Sequence, residues 1–203
     1  IDVQINELKT IIEFHNSKKD SLSSILEKLE LEEIRKELKS IGLPSISDNE
    51  DLIEHEAMML VYSEPHEQAK WVIHKISVNI IKGRVGRTND FREDTLIKTG
   101  TAEEKDYFLK RIKDNPIKNN KSYTYDGFGY DRGHLAPSAD FRWSKSALSE
   151  SYLYSNISPQ LADLNRKGWA DLEDMIRTYV YENNQDLFVV TGPVLKKGLT
   201  KIE

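Results

Sequence analysis

The sequence predicts a mixed α+β fold, in which a helical segment precedes a domain of short strands and one longer helix. Apolar residues recur at helical spacing through residues 3–39. Residues 58–62 form an apolar run of strand length, and residues 71–78 alternate as a half-buried strand does. Helical periodicity returns between residues 165 and 181.

The helical segment contains two sets of regularly spaced apolar residues. Ser21, Ser23 and Ser24, which belong to a residue type favoured at helix starts, separate the two sets. We therefore expect a helical hairpin that serves for packing or oligomerisation, with a partner-binding module as the alternative. The first set is Val3, Ile5, Leu8, Ile11 and Ile12, and the second is Ile25, Leu26, Leu29, Leu31, Ile34 and Leu38.

A loop follows the helical segment. It begins Gly42-Leu43-Pro44-Ser45 and extends to Asn49, and Gly, Pro, Ser and Asp are the residues of turns and loops. We place a domain boundary here, with residues 1–48 as a helical appendage and residues 49–203 as the main domain.

Charge is divided unevenly between these two parts. The chain of 203 residues has a net charge of −5, but residues 1–60 hold 7 Lys and Arg against 14 Asp and Glu. Residues 61–203 hold 22 Lys and Arg against 20 Asp and Glu, so this part of the chain is nearly neutral. An anionic partner therefore remains compatible with the main domain. The absence of cysteine excludes disulfides, zinc–thiolate sites and cysteine nucleophiles.

The first strands of the main domain carry two histidines. Glu64-Pro65-His66 predicts a turn between the strands, and His74 lies within the second one. Neither histidine has Asp or Glu at a spacing typical of a metal site. We interpret both as structural or surface residues.

A compact polar motif, Asp131-Arg132-Gly133-His134, is the strongest candidate for a reactive centre. A neutral histidine can take a proton from water near pH 7, and arginine presents planar donors to a phosphate. Glycine between them permits close approach of the backbone to another group.

A short strand is predicted at Ser151–Asn156, ended by Pro159, and a helix from Asn165 to about Tyr181. At ~100° per residue, Glu173 falls on the apolar face of that helix, where a carboxylate is costly unless it is paired, hydrogen-bonded or near a metal. A buried salt bridge to an arginine is the alternative explanation for Glu173.

Asn165 and Glu173 are too far apart along the helix for both to bind one ion directly. A separation of eight residues corresponds to ~12 Å of rise. We therefore expect Asn165 to provide an oxygen to the cation and Glu173 to hold metal-bound water. Mg²⁺ suits so few protein ligands because it retains several waters, whereas zinc is disfavoured.

At these residues the chain resembles the DNA/RNA non-specific endonucleases, a family with a ββα-metal (His-Me) finger. The resemblance covers about residues 62–194 and implies a mixed fold around a central antiparallel sheet. The matching patches are Trp71-Val72 after His66-Glu67-Gln68-Ala69, Arg87 to Asp94, Asp131 to Pro137, Asn156–Gln160 with Asn165, Trp169, Leu172 and Glu173, and Thr191-Gly192-Pro193.

The resemblance implies the catalytic roles. It makes His134 the general base, Asn165 the Mg²⁺ ligand, with Mn²⁺ as the alternative cation, and Glu173 the group that orients the hydrated metal. Arg132 and Arg87 would contact the scissile phosphate.

Two further residues would support this site. Asn156 would support the surroundings of His134, and Asp131 would anchor its loop through a neighbouring donor. Arg84 and Arg92 remain competitors for the role of Arg87.

The expected function is that of a magnesium-dependent endonuclease that hydrolyses DNA and RNA through backbone contacts. A toxin or defence nuclease held by a protein inhibitor and a catalytically silent nucleic-acid-binding module are the alternatives, and a homodimer is a further possible assembly. Relatives of this kind are often exported, so we expect a periplasmic or secreted location, with the cytoplasm as the alternative. Family members usually continue beyond the Thr-Gly-Pro strand with further strands and a closing helix, so either this chain is shortened or its later residues lie outside the given sequence.

Overall fold

The computed structural model describes residues 2–81, 83–107, 129–196 and 198. No helix in these ranges is both long and apolar enough to cross a bilayer. The helices are α1 (Asp2–Ser40), α2 (Val78–Ile81), α3 (Lys145–Glu150) and α4 (Ala170–Asn183). The strands are β1 (Leu52–Glu54), β2 (Met58–Ser63), β3 (Gln68–Ile76), β4 (Asp131–His134), β5 (Ile157–Gln160) and β6 (Leu187–Thr191).

The main sheet is antiparallel, as predicted, with strand order β1-β2-β3-β6. Every residue of β2 is buried, because the end of α1 and the segment around Phe141 and Tyr152 share one hydrophobic core with the sheet. The strand predicted at residues 71–78 is β3, which begins earlier, at Gln68, and ends at Ile76.

The predicted helical hairpin at the N-terminus is wrong, because α1 is one continuous helix of 39 residues. No glycine or proline interrupts residues 2–40, and the serines between the two apolar sets are exposed within the helix. Leu31, Ile34 and Leu38, near the end of α1, are buried in the core of the main domain. The domain boundary after residue 48 remains a prediction, although the helix preceding it belongs to that core.

The strand predicted at Ser151–Asn156 is also wrong. This segment contains a turn and a 3₁₀ helix, Tyr154–Asn156, and the strand is the following segment, β5. Pro159 lies inside β5 opposite Arg132 of β4. Proline is tolerated there because a two-stranded sheet leaves one edge of each strand without a ladder partner.

A ββα unit completes the fold. Strands β4 and β5 are antiparallel, and the chain then enters a π-helical segment, Leu164–Trp169, that continues into α4. Asn165 therefore lies inside a helical segment of wider turn, one residue after its start, and not at the beginning of a regular α-helix. The order of elements agrees with the predicted ββα finger.

A buried polar network holds the loop before this unit. The Asp94 carboxylate lies 2.9 Å from His55 Nε2 and accepts hydrogen bonds from Ser155 Oγ at 2.5 Å and from the Leu96 amide at 3.0 Å. Burial alone would raise the pKa of the Asp94 carboxyl. The pKa nevertheless lies below its usual value, because His55, Ser155 and the Leu96 amide stabilise the charged carboxylate.

Leu38→Ala should lower the free energy of unfolding by about 2–5 kcal/mol, because Leu38 is fully buried and truncation leaves a cavity. Leu96→Ala, at a side chain that is 52% exposed, is the matched control and should change it by less than about 0.5 kcal/mol. Urea denaturation measures both. Equal effects of the two substitutions would show that the end of α1 is not part of the core.

Asp94→Asn should destabilise the protein at pH 7 by about 1–3 kcal/mol, because buried donors lose a charged acceptor. The folded-state pKa of Asp94 is lowered, so its carboxylate stabilises the fold above the unfolded pKa of about 3.9. That contribution is lost as the pH falls through the folded pKa. Denaturation curves of the variant and the original protein should therefore begin to converge as the pH falls below ~4, and they should coincide only below the folded pKa.

The control for this substitution is Asp163→Asn, at a side chain that is 89% exposed. The free energy of unfolding of Asp163→Asn should match that of the original protein at pH 7 and also below pH ~4. A difference between Asp94→Asn and the original protein that did not shrink in acid would contradict the assigned role of the Asp94 carboxylate.

Candidate active site

Pairing between β4 and β5 sets the position of His134. His134 is the last residue of β4 and lies opposite Ile157, the first residue of β5. Asn156, which precedes β5, is fully buried. Its Oδ1 accepts from the Ala136 amide at 2.9 Å, and its Nδ2 donates to the carbonyls of Ala136 at 2.9 Å and Ser151 at 2.8 Å. These bonds hold the turn that follows His134.

Aromatic side chains surround the His134 ring. The ring centroid lies 5.0 Å from that of Tyr152, edge to face, and 5.7 Å from that of Phe91. The His134 carbonyl accepts a hydrogen bond from Trp169 Nε1 at 3.3 Å. His134 Nε2 is buried and has no hydrogen-bond partner among the residues that the structure describes.

Two arginines flank this histidine. Arg87 Nε donates to the hydroxyl of Tyr152 at 3.2 Å. The Arg132 guanidinium lies 3.9 Å from the centre of the Phe91 ring. Burial, together with the positive charges of Arg87 and Arg132, lowers the pKa of His134 to about 3. His134 is therefore neutral over the physiological pH range.

The three arginines considered for the phosphate-contacting role have different surroundings. The charge of Arg87 lowers the pKa of both His134 and Glu173, so Arg87 is close enough to both groups to act on them. Arg92 Nη1 instead donates to the Asp90 carboxylate at 2.9 Å and to a backbone carbonyl at 2.9 Å. Arg84 is exposed, as are Arg87 and Arg92, but its charge is not among the causes that shift the pKa of His134 or Glu173. The action of Arg87 on both candidate groups favours it for this role.

Asp131 links β4 to the helical segment that carries Asn165. Its Oδ2 accepts from Asn165 Nδ2 at 2.9 Å, and its two oxygens accept from Arg166 Nε and Nη2, each at 2.8 Å. Burial raises the pKa of Asp131, but the hydrogen bonds of Arg166 and Asn165 and the charges of Arg166 and Arg132 lower it below its usual value. The Asn165 amide nitrogen is thus directed to Asp131, which leaves Oδ1 as the atom available to a ligand.

Glu173 lies on α4 with its side chain only 20% exposed, and burial raises its pKa to about 7. Arg177 Nη2 is 3.9 Å from Glu173 Oε2, which is too long for a hydrogen bond. Arg177 instead donates to Asp140 at 2.9 Å and Asp174 at 2.5 Å. The alternative expected for Glu173, a buried salt bridge to an arginine, is therefore present as a long ion pair with Arg177.

Sequence reasoning did not identify Arg166, Arg177 or Asp140 as parts of this site. Asp140 is buried and also lies 2.9 Å from His74 Nε2. Asp140 is therefore the partner of His74, which we interpret as a structural residue. The sequence spacing could have identified Arg177 as a neighbour of Glu173, because it follows Glu173 by four residues on the same helix. The pairing of Arg166 with Asp131 spans 35 residues and had no local signal.

Comparisons with known proteins identify the family of this chain. A family model described as DNA/RNA non-specific endonuclease matches residues 36–203. Human mitochondrial endonuclease G is 30% identical over 159 residues, which cover 78% of this chain and 46% of that protein. A nuclease of Syncephalastrum racemosum is 34% identical over 148 residues, which cover 71% of this chain and 41% of that protein. The chain spans less than half the length of these relatives.

A solved structure shares the fold. The crystal structure of the EndoG/EndoGI complex matches with a TM-score of 0.59 at 23% identity, over 79% of this chain and 58% of that chain. The family match extends from residue 36 onward and includes all the candidate site residues. The chain therefore belongs to the DNA/RNA non-specific endonuclease family.

Proposed function

We propose that this protein is a metal-dependent endonuclease that hydrolyses phosphodiester bonds of DNA and RNA. The observation that carries the proposal is a neutral histidine, His134, whose Nε2 is buried and whose pKa is lowered by two arginines that can bind a phosphate. The nuclease activities named for its relatives support the same reaction class.

His134 acts as the general base. In its neutral form it can take a proton from water, and its low pKa makes it a weak base in the free protein. Arg87 and Arg132 contribute to that low pKa. A bound phosphate neutralises part of their charge, so the pKa of His134 rises and the histidine becomes a stronger base when substrate is present.

The arginines hold the scissile phosphate. Their planar guanidinium groups donate hydrogen bonds to its non-bridging oxygens and stabilise the negative charge that develops there. The deprotonated water attacks phosphorus in line with the 3′ oxygen, and the bond from phosphorus to that oxygen breaks. The 3′ oxygen takes a proton from solvent, and His134 releases its proton to solvent. The products carry a 5′-phosphate and a 3′-hydroxyl.

Nucleases of this family depend on a metal ion, and the residues present fit a hydrated cation. Asn165 offers Oδ1, because its amide nitrogen is bonded to Asp131. Glu173 contributes a buried carboxylate that is not closely paired, and a nearby cation would favour its charged form. The described part of the chain contains no group of three His, Cys, Asp or Glu residues that could hold a metal ion, so a site with few protein ligands fits best.

We assign this site to Mg²⁺, with Mn²⁺ as the alternative, because hard cations prefer oxygen ligands and Mg²⁺ retains water. Asn165 would bind the ion, and Glu173 would hold its water. The cation, when bound, supplies positive charge that stabilises the phosphate and the leaving oxygen during hydrolysis.

The substrate range follows from the nucleophile. External water attacks, so a ribose 2′-hydroxyl is not needed and both DNA and RNA are substrates. Contacts through phosphate carry no base sequence information, which makes cleavage non-specific. A periplasmic or secreted location remains a prediction.

A protein inhibitor is the second proposal for a partner. The structurally similar endonuclease was solved as a complex with an inhibitor, which supports a nuclease that is held in check by a bound protein. This alternative retains the chemistry of His134 and changes only its control.

His134→Ala should reduce cleavage by about 10²–10⁴-fold, the range lost with a general base, while binding of nucleic acid is retained. The assay follows supercoiled plasmid and single-stranded RNA with Mg²⁺ and with EDTA, beside fluorescence anisotropy of a labelled oligonucleotide. EDTA should stop cleavage of both substrates. His66→Ala, at an exposed histidine, is the control and should cleave normally. Full activity of His134→Ala would refute the assignment.

Arg87→Ala should lower kcat by about 10²-fold, because one donor to the developing charge is lost. Arg84→Ala removes an exposed arginine three residues away and should leave kcat nearly unchanged. Initial rates of plasmid cleavage under saturating substrate compare the two variants. A larger loss for Arg84→Ala than for Arg87→Ala would reverse the assignment.

A further inference from the structure

The first three quarters of α1 expose an apolar stripe. All of residues 2–30 except Glu27 are exposed, including leucine and isoleucine side chains such as Leu8 at 59% and Leu22 at 57%. The stripe follows a seven-residue repeat of the kind found in coiled coils. Its first core positions (a) are Ile5, Ile12, Lys19 and Leu26, and its second core positions (d) are Leu8, His15, Leu22 and Leu29.

We propose that residues 5–29 form an antiparallel two-stranded coiled coil with the same residues of a second copy of this chain. The proposal concerns assembly and does not depend on the proposed nuclease function. It assigns a partner and an orientation to a helix whose apolar stripe is otherwise exposed.

The described part of the domain to which α1 is attached leaves the stripe uncovered. Leu31, Ile34 and Leu38 form the face of α1 that packs into the core. At ~100° per residue, this face points roughly 140° away from the direction of Leu26 and Leu29. A straight helix that buries one face in its own domain therefore presents the other to a different molecule.

A free helix of this length also needs a partner for stability. Isolated helices are marginal in water, and most helical stability in proteins comes from packing of an apolar face. Residues 5–29 correspond to about 37 Å of helix, or more than three heptads. Burial of the stripe against another helix would provide the missing packing.

The pattern of apolar and polar core positions in the stripe is the same when the helix is read in either direction. In an antiparallel pair centred on Ser17, Ile5 lies opposite Leu29 of the partner subunit, Leu8 opposite Leu26 of the partner subunit, and Ile12 opposite Leu22 of the partner subunit. Every apolar core position thus meets an apolar one. This self-complementarity is what a symmetric dimer requires, and it identifies a second copy as the partner.

Flanking residues favour the antiparallel orientation over the parallel one. Ile11 and Ile25 lie beside the core at g positions, and both are 52% exposed. In the antiparallel pair, each Ile11 contacts Ile25 of the partner subunit. In a parallel pair, the same two isoleucines would instead face the polar residues Asn16 and Glu30.

The two polar core residues define the register. His15 lies opposite Lys19 of the partner subunit at the centre of the antiparallel pair. A shift by one heptad would place Lys19 against Leu22 of the partner subunit and bury a cation among apolar side chains. Central polar residues of this kind select one register at some cost in stability.

The first test is the mass of the full chain in solution by size-exclusion chromatography with light scattering. The expected value is twice the mass of one chain. Substituting Leu8→Glu and Leu22→Glu together should produce a monomer, because four carboxylates would enter the apolar core. Val3→Glu with Phe14→Glu changes exposed apolar residues outside the stripe and should leave the dimer intact.

These outcomes separate assembly from folding and from catalysis. The substituted residues are exposed, so far-UV circular dichroism and plasmid cleavage should show that the main domain remains folded in all variants. A monomer at all concentrations would overturn the proposal. A dimer that persisted in the Leu8→Glu, Leu22→Glu variant would also overturn it, because the contact would then lie elsewhere.

Orientation is tested by cross-linking, which is unambiguous because the chain has no cysteine. Ile12→Cys and Leu22→Cys are made as separate proteins and oxidised alone or after mixing. The antiparallel pair predicts a disulfide-linked dimer only in the mixture. Cross-linking of either variant alone would indicate a parallel pair and would overturn the proposed orientation.

Discussion

The arrangement of the candidate site depends on the carboxylate of Asp131. It is the point at which strand β4, which carries His134, is bonded to the helical segment that carries Asn165. The two hydrogen bonds from Arg166 hold the same carboxylate. Trp169, on the same helical segment, donates a longer hydrogen bond to the His134 carbonyl at 3.3 Å, so loss of the Asp131 contact would weaken the link between the candidate base and the candidate metal ligand without removing it. A pair of this kind, partly buried and well hydrogen-bonded, contributes more to geometry than to net stability.

Electrostatics divides the site into two parts. Around His134, burial and two arginines favour the neutral imidazole and create a positive surface suited to phosphate. Around Glu173, burial raises the carboxyl pKa to about 7, because Arg177 is engaged mainly by Asp140 and Asp174. A bound phosphate and a bound cation would stabilise the charged forms of these groups. The local field, and not the net charge of −5, is therefore the quantity relevant to substrate binding.

Sequence patterns predicted the local features well. Strand β2, the antiparallel sheet and the ββα order agree with the prediction. The wrong predictions concern segments whose apolar periodicity is compatible with more than one secondary structure. The helical hairpin was inferred from serines that are exposed within one helix, and the strand predicted at residues 151–156 was displaced by one segment. Apolar periodicity locates buried faces, but it does not distinguish a bend from a straight helix or fix where pairing begins.

The sequence by itself determined which reactive groups are present and that a helical segment carries Asn165 and Glu173, because these properties depend on neighbours along the chain. Tertiary structure decided the protonation of His134, the orientation of the Asn165 amide and the weak pairing of Glu173. Each of these depends on desolvation or on atoms that approach within a few ångströms after folding. Asp131 and Arg166 are an example, since 35 residues separate them in sequence and 2.8 Å separates their atoms in the structure.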